Sequence, residues 1–397
     1  MVSREFNPLK LKSFFVFGPR GVGKSTWIRH QYAANNVLYL NLLDPELLER
    51  FQLSPNSFKE LITSPDNLKK IIIVDEVQKV PQILSIIHDE LSKRKRIFVL
   101  TGSSARKLKQ KGVDLLAGRA LVYHMYPLSI SELSDQFDLK KALERGLLPE
   151  SYFASSDEEY TEYLKAYVYT YIEKEIQQEQ WVRKLEPFRK FLQIAAQMNT
   201  KIINKSKIAQ QVGVESSTIE SYFEILEDTL LGFRLPGYET SIRRQVRLAD
   251  KFYFVDTGMV RAIEKTLSIP MIEHTGYYGV LFESFIVLEI KKIIEYNRLD
   301  WSMSYLQTKE NKEIDLILTL PNKKLILIEI KSTASVSESD ISSLIALGHD
   351  LDKEKKIKSV KILISQDPLN REISNVSCLH YVSALKKISE ESIQNHT

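Results

Sequence analysis

The chain has 397 residues, 43% hydrophobic and 27% charged, with a formal net charge of +4 and a single cysteine, Cys378. That length favours two or three domains over one core, and the composition is that of an ordinary globular protein, not a disordered or fibrous one. So small a charge permits a polyanionic partner without demanding one, and a lone thiol excludes an internal disulfide and a cysteine-rich zinc site.

The N-terminal stretch MVSREFNPLKLKSFFVFG carries charges and Asn-Pro where a signal peptide needs an apolar core. No run approaches the ~18 apolar residues of a membrane span. A cytoplasmic protein without membrane contact is the expectation.

From residue 13 to about 150, short β-rich runs alternate with helical patterns, which predicts a parallel sheet flanked by helices. The strands are SFFVFG, VLYLNLL, KIIIVDE and RIFVLTGS. After the first comes Gly18-x-x-x-x-Gly23-Lys24-Ser25, a phosphate-binding loop between strand and helix. Gly18, Gly21 and Gly23 are expected to take positive φ and turn backbone N–H groups toward phosphate. Pro19, Arg20 and Val22 complete the cradle, and the helix opening with Lys24, Ser25 and Thr26 adds its positive dipole end. Lys24 would reach the β- and γ-phosphates and Ser25 would ligate Mg²⁺, so ATP and Mg²⁺ are the implied ligands.

The strand IIIVDE brings Asp75 and Glu76 to its end. Asp75 fits the Mg²⁺ role, and Glu76 fits the base that deprotonates the attacking water. A solvated acidic strand end is the blander reading, but a protein that only bound ATP would have no need of Glu76. The next strand ends in Thr101, Ser103 and Ser104, hydroxyls at the carboxyl end of a parallel strand, where ligands bind. Which of them senses the γ-phosphate is not readable; Ser103 is carried as the candidate. Arg106 and Arg119 follow. An arginine given to a neighbour's γ-phosphate can be worth ~10³–10⁵ in rate, an arrangement that implies a homo-oligomer. For Arg119 a structural ion pair is the favoured reading, and the ATP role is the alternative.

Residues 157–200 read as helices, with Tyr160, Tyr163, Tyr167 and Tyr171 at helical spacing as a core face. Then KSKIAQQVGVESSTIESYFEILED has the cadence of a helix-turn-helix, with Gly213 in the turn. Its second helix carries Glu215, Glu220, Glu224, Glu227 and Asp228 and no lysine or arginine, the wrong charge for a phosphate-lined groove. Arg243, Arg244 and Arg247 could form a basic wing beyond it.

From 277 a long helix leads into the hairpin KEIDLILTLPNKKLILIEIKS. Glu329 and Lys331 alternate on one strand and share a face. A three-residue loop, Pro321 to Lys323, would set Asp315 opposite Glu329, whereas an even loop would send them to opposite faces. Glu283 lies upstream on a helix face with Ile286, Val287 and Ile290, where a carboxylate is costly unless paired or metal-bound.

FFVFGPRGVGKST, IIIVDEVQKVP, FVLTGSSARKL, LAGRA and YPLSISEL resemble a prokaryotic family of predicted AAA-type P-loop ATPases. In that family the core is followed by a helix-turn-helix segment and a C-terminal domain of unknown function with restriction-endonuclease-like features. TIESYFEILEDTLL, KFYFVDTGM, GVLFESFIVLEI and EIDLIL…IEIKS match its second half. The resemblance implies a multidomain α/β protein: ATPase core 1–150, helical connector 151–200, helix-turn-helix or winged helix 201–260, and restriction-endonuclease-like domain 261–397. Glu283, Asp315, Glu329 and Lys331 match, residue by residue, the acidic-acidic-x-lysine pattern of such nucleases. Asp315 and Glu329 would hold a second Mg²⁺ or Mn²⁺, which lowers the pKa of a bound water, and Lys331 would orient that water.

Two readings follow. One is an ATPase coupled to a metal-dependent nuclease acting on DNA or RNA. The other is a nucleotide-controlled oligomerisation or protein-interaction switch with an inactive nuclease fold. A sequence-specific DNA-binding regulator is a third, weakened by the acidic helix.

Overall fold

The computed structural model describes residues 2–33, 36–104, 116, 118–172, 185–239 and 249–394. The chain divides into two compact units, Met1–Leu128 with Leu148–Glu150 and Glu224–Leu231, and Ser129–Leu147 with Ser151–Phe223 and Gly232–Thr397.

The first unit is built on five parallel strands, β1 (Ser13–Phe17), β2 (Val37–Asn41), β3 (Ile71–Asp75), β4 (Phe98–Gly102) and β5 (Ala120–His124), in the order β2-β3-β4-β1-β5. β1 and β4 are buried throughout, as the unbroken apolar runs of a sheet covered on both faces require. Phe15, Phe17, Val74, Leu100 and their neighbours pack against Phe51, Phe58 and Ile87 of the flanking helices. Since β4 lies between β1 and β3, its carboxyl end falls between the phosphate loop and Asp75.

The N-terminal run of the first unit reaches Leu128, and Leu148–Glu150 and Glu224–Leu231 return to it. The run breaks off within the tail of YPLSISEL. Ser129 caps a short helix, Ile130–Leu133, through a capping box with Glu132, and the Ile130 N–H donates to Glu289 Oε2 at 3.0 Å. Glu289 is itself buried and paired with Lys292 at 2.6 Å, so this stretch belongs to the second unit.

The second unit contains the helix Lys205–Val212 and, beyond Gly213 at φ 82°, the part of the helix Ser216–Asp228 up to Phe223. They are followed by an antiparallel pair, β6 (Gly232–Leu235) and β7 (Lys251–Phe254). Its largest sheet has six strands: β8 (Ser302–Gln307), β9 (Glu313–Thr319), β10 (Leu325–Ile330), β11 (Val360–Ser365), β12 (Arg371–Ile373) and β13 (Val376–His380). They lie in the order β12-β13-β11-β10-β9-β8. β8, β9 and β10 form an antiparallel meander, and β11 runs parallel to β10 after the crossover helix Glu338–Lys355. With the long helix Gly276–Tyr296 in front, the succession is helix, three strands, helix, strand. Ile317, Leu327, Leu344 and Leu363 share one core with Cys378, the chain's free and buried cysteine. Of the tyrosine stripe, Tyr160 and Tyr167 are buried and Tyr163 half-buried; the Tyr171 side chain lies outside the described residues. Among the described residues no helix is long and apolar enough to cross a membrane.

Candidate functional site

The phosphate loop leaves β1 at Phe17 and enters the helix Lys24–Gln31. Gly21 and Gly23 take φ of 78° and 93°, the left-handed region expected of them. Gly18 does not. Its need for glycine is steric, because a Cβ there would meet the Met125 carbonyl oxygen at 2.3 Å. Lys24 is buried and folds over the loop, donating to the carbonyls of Gly18 at 2.6 Å and Pro19 at 3.0 Å. Val22 is buried, Arg20 and Ser25 are half-buried, and Thr26 is exposed. A residue the motif did not suggest braces this loop. Arg4 donates to the Val22 carbonyl at 2.7 Å and the Tyr126 carbonyl at 2.5 Å, while Phe6 packs edge-on to Trp27.

Asp75 and Glu76 are both buried at the end of β3. The hydroxyls of Tyr39 and Thr101 donate to the two carboxylate oxygens of Asp75. Burial and the hydrogen bond to Asp75 push the Tyr39 phenol up to about 12. The Thr101 oxygen also accepts the Glu76 N–H at 3.1 Å. Gln78 Nε2 donates to Glu76 Oε2 at 2.5 Å and to Ser103 Oγ at 3.1 Å. The three hydroxyl candidates therefore separate: Thr101 serves Asp75 and the backbone, and Ser103 stands beside the Glu76 carboxylate. Ser104 is buried next to them. The donors Ser25 and Asp75 are oxygen ligands of the kind Mg²⁺ takes.

Arg119 sits elsewhere. It precedes β5, whose first residue, Ala120, pairs with Ser13 at the start of β1. That is the opposite end of the strand from the phosphate loop, roughly 15 Å away at 3.3 Å per residue. Its guanidinium lies 2.7 Å from His88 Nε2. Within its own chain it does not reach the loop, so the ATP role leaves it only a neighbouring copy's site. Arg106 lies outside the described residues.

In the second unit, Leu316 pairs with Ile328 and Thr319 with Leu325. Continuing that register sets Asp315 opposite Glu329, across the three-residue loop Pro321–Lys323 with Lys323 at φ 62°. Asp315 Oδ2 accepts the Ile330 N–H at 2.7 Å, and Glu329 Oε1 is 2.7 Å from Lys331 Nζ. Glu283 Oε1 accepts from the Tyr253 hydroxyl at 2.8 Å and lies 3.4 Å from Lys251 Nζ. Lys251 also pairs with Glu313.

The electrostatics follow from four carboxylates crowded in a poorly hydrated place. Desolvation lifts Glu329 to about 8, with the Asp315 charge adding to it. Desolvation likewise lifts Glu283 to about 7 against the opposing pull of Lys251, and it raises Asp315. Burial alone would lower Lys251, but Glu283, Asp315 and Glu313 together hold its proton more tightly than in water. Lys331 is raised by Glu329 in the same way, against its own burial.

Among the described residues no three carboxylate, thiol or imidazole side chains converge as a ready-made metal cage. The donor set is nonetheless all oxygen, and Glu329 Oε2 is buried with no hydrogen-bond partner among the described residues. That orphaned acceptor, on the face shared with Asp315, fits a hard divalent cation. Lys251, Tyr253 and Glu313 were not anticipated. A lysine opening the apolar strand KFYF, with tyrosine two residues on and so on the same face, was the available signal.

Of the acidic residues expected on the second helix, Glu220 is half-buried, whereas Glu215 and Glu224 are exposed. Glu220 bridges to Lys205 at 2.6 Å and to Arg234, and Tyr222 packs on Phe188 and Phe191. Arg243, Arg244 and Arg247 lie outside the described residues.

Comparison with known proteins matches three separate stretches of the chain. Residues 10–134 match the family model of the AAA domain. The first unit carries an AAA-type P-loop domain. Residues 136–269 match a domain of unknown function (DUF8612) and residues 278–381 another (DUF4143). Uncharacterized proteins of Mycobacterium bovis and Mycobacterium tuberculosis are each 24% identical over 284 residues, 70% of this chain and 63% of theirs. The match thus spans less than two thirds of those relatives' length. An uncharacterized protein of Haemophilus influenzae is 25% identical over 295 residues, covering 66% of this chain and 73% of its own. Among solved structures, the Aeropyrum pernix ORC1 protein in complex with DNA aligns with a TM-score of 0.24 and 11% identity, over 65% of this chain and 86% of that one.

Proposed function

We propose that this protein hydrolyses ATP at the first unit and that hydrolysis governs a metal-dependent phosphodiester-cleaving site, acting on DNA or RNA, in the second. The observation that carries the first half is Glu76. It is a buried carboxylate beside Asp75 at the end of β3, held by Gln78 next to Ser103, on a sheet whose β1 ends in the phosphate loop. The loop N–H groups and the helix start would bind the phosphates, and Lys24 would exchange its two carbonyl partners for phosphate oxygens. Ser25 and Asp75 would hold Mg²⁺. Glu76 would take the proton of the attacking water as the bond from the γ-phosphorus to the bridging oxygen breaks, giving ADP and phosphate. A homo-oligomer completes the reading, with Arg119 offered to a neighbouring copy.

For the second unit, the succession of helix, three strands, helix and strand and the facing pair Asp315 and Glu329 support a restriction-endonuclease-like fold. Asp315 and Glu329 would hold the cation, with Glu283 near them. A bound divalent ion supplies an acidified water and charge stabilisation of the leaving oxygen. Lys331 would orient the attacking water. The test is cleavage of single- and double-stranded DNA and RNA with Mn²⁺ or Mg²⁺, with and without ATP, by wild type, Asp315→Ala and Lys331→Ala. Cleavage lost in both variants supports the reading.

A second reading is favoured by Lys251, whose ammonium already answers Glu283 and Glu313. In it the second unit is an inactive nuclease fold, and the chain is a nucleotide-controlled oligomerisation or protein-interaction switch. Absence of cleavage together with an oligomer size that changes with ATP would select it.

A further inference from the structure

We infer that Gln78 is a positioning residue for ATP hydrolysis: its amide aims the Glu76 carboxylate and ties it to the Ser103 hydroxyl. The inference rests on the reading of Glu76 as the base.

Three features of the backbone build the contact. Glu76 takes φ 62°, a left-handed conformation that a non-glycine residue keeps only when its surroundings over-determine it, and such residues gather at functional sites. Its N–H is anchored on Thr101 Oγ1 at 3.1 Å. The single 3₁₀ turn Val77–Lys79 follows at once, and it returns Gln78 to the end of β4, where the side chain is 3% exposed.

The chemistry then fixes the direction of the amide. A carboxylate accepts and never donates, so the atom facing Glu76 Oε2 is the Gln78 nitrogen. The same nitrogen reaches Ser103 at 3.1 Å, so one NH₂ group spans the base and the hydroxyl. Turning the amide over would set its oxygen against the carboxylate. Gly102 provides the room, since a Cβ there would meet Gln78 Oε1 at 2.6 Å. Among the described residues Gln78 Oε1 is buried without a hydrogen-bond partner. The Ser103 hydroxyl, at the strand end nearest the phosphate loop, is thereby one amide away from the base. A change in its hydrogen bonding on ATP binding passes to Glu76 through Gln78.

The test is steady-state ATP hydrolysis by the full chain, with ATP affinity measured separately, for Gln78→Leu, Ser103→Ala and the double variant. Misdirecting a base without removing it should lower kcat about 10- to 100-fold, with KM and ATP affinity unchanged within about twofold. The two single effects should overlap in the double variant because the residues act as one unit. Gly102→Ala, which displaces the amide while leaving Gln78 in place, should lower kcat in the same way and serves if Gln78→Leu does not fold. Wild-type kcat in Gln78→Leu or Gly102→Ala, or additive effects of the Gln78 and Ser103 changes, would overturn the inference alone. A Glu76→Gln variant that turns over like wild type, or a wild type without turnover, would overturn the reading of Glu76 and the inference with it.

Discussion

Replacing Lys251 by methionine removes one charge and keeps most of the volume, so it isolates what the ammonium does. Lys251 is 3% exposed and is the cation that Glu283 and Glu313 share. Removing one partner of a buried ion pair costs about 3–5 kcal/mol, because the other charge stays behind unpaired. Proton uptake limits that cost here. Glu283 already titrates at about 7 with Lys251 in place, so near pH 6 the cluster can neutralise itself, and the loss should shrink to about 1–2 kcal/mol. At pH 8 protons are scarcer and the loss should approach the full range. Urea denaturation of wild type and Lys251→Met at pH 6 and pH 8 reads this directly. The double variant Lys251→Met/Glu283→Gln should recover at least half of the pH 8 loss, since it removes the stranded charge as well. A loss below about 1 kcal/mol at pH 8, or one equal at both pH values, would refute the account of Lys251 as the counter-ion of these carboxylates.

The same cluster makes the wild-type protein pH-dependent. Glu283 is raised from 4.5 to about 7 on folding, so between those values the native state binds more protons than the unfolded one. Its contribution is present in full below pH 4.5 and is lost as pH rises through 7, amounting to roughly 3 kcal/mol; a series of urea midpoints from pH 5 to 8 should fall, and Glu283→Gln should flatten the slope. Lys24→Ala should abolish ATP binding in a calorimetric titration, and near-normal affinity would remove the phosphate-cradle assignment. Glu76→Gln should bind ATP normally yet hydrolyse it at least ~10²-fold more slowly, read by phosphate release. Arg119→Ala should lower turnover only in assembled protein, and its loss should be restored by mixing with a Lys24→Ala copy that still supplies the arginine.

How far the sequence was readable depends on how local each contact is. The parallel sheet was legible because its apolar strands are each defined within about ten residues, and the structure sets the phosphate loop and Asp75–Glu76 at their carboxyl ends. The facing of Asp315 and Glu329 was legible only as one of two outcomes, since it turned on a loop length that the sequence left open. Lys251 was not, because it reaches Glu283 from 32 residues away and Glu313 from a different strand pair. Gln78 stands only two residues from Glu76, yet its contact depends on the left-handed backbone at Glu76, which no propensity would assign to glutamate. Gly18 was read for the wrong reason: its loop neighbours need unusual dihedrals, whereas Gly18 makes room for the Met125 carbonyl. Arg119 looked close to the site in the chain but lies at the far end of β5, a distance that strand direction alone determines.

The single thiol has a practical consequence. Cys378 is 1% exposed within the sheet core of the second unit, and burial pushes its thiol up, away from the reactive thiolate. Cysteines introduced at exposed positions, such as Lys59 in the first unit and Lys386 in the second, would therefore outcompete it for maleimide dyes. A donor–acceptor pair placed there would report, in the otherwise unaltered chain, whether the spacing of the two units follows the ATP cycle.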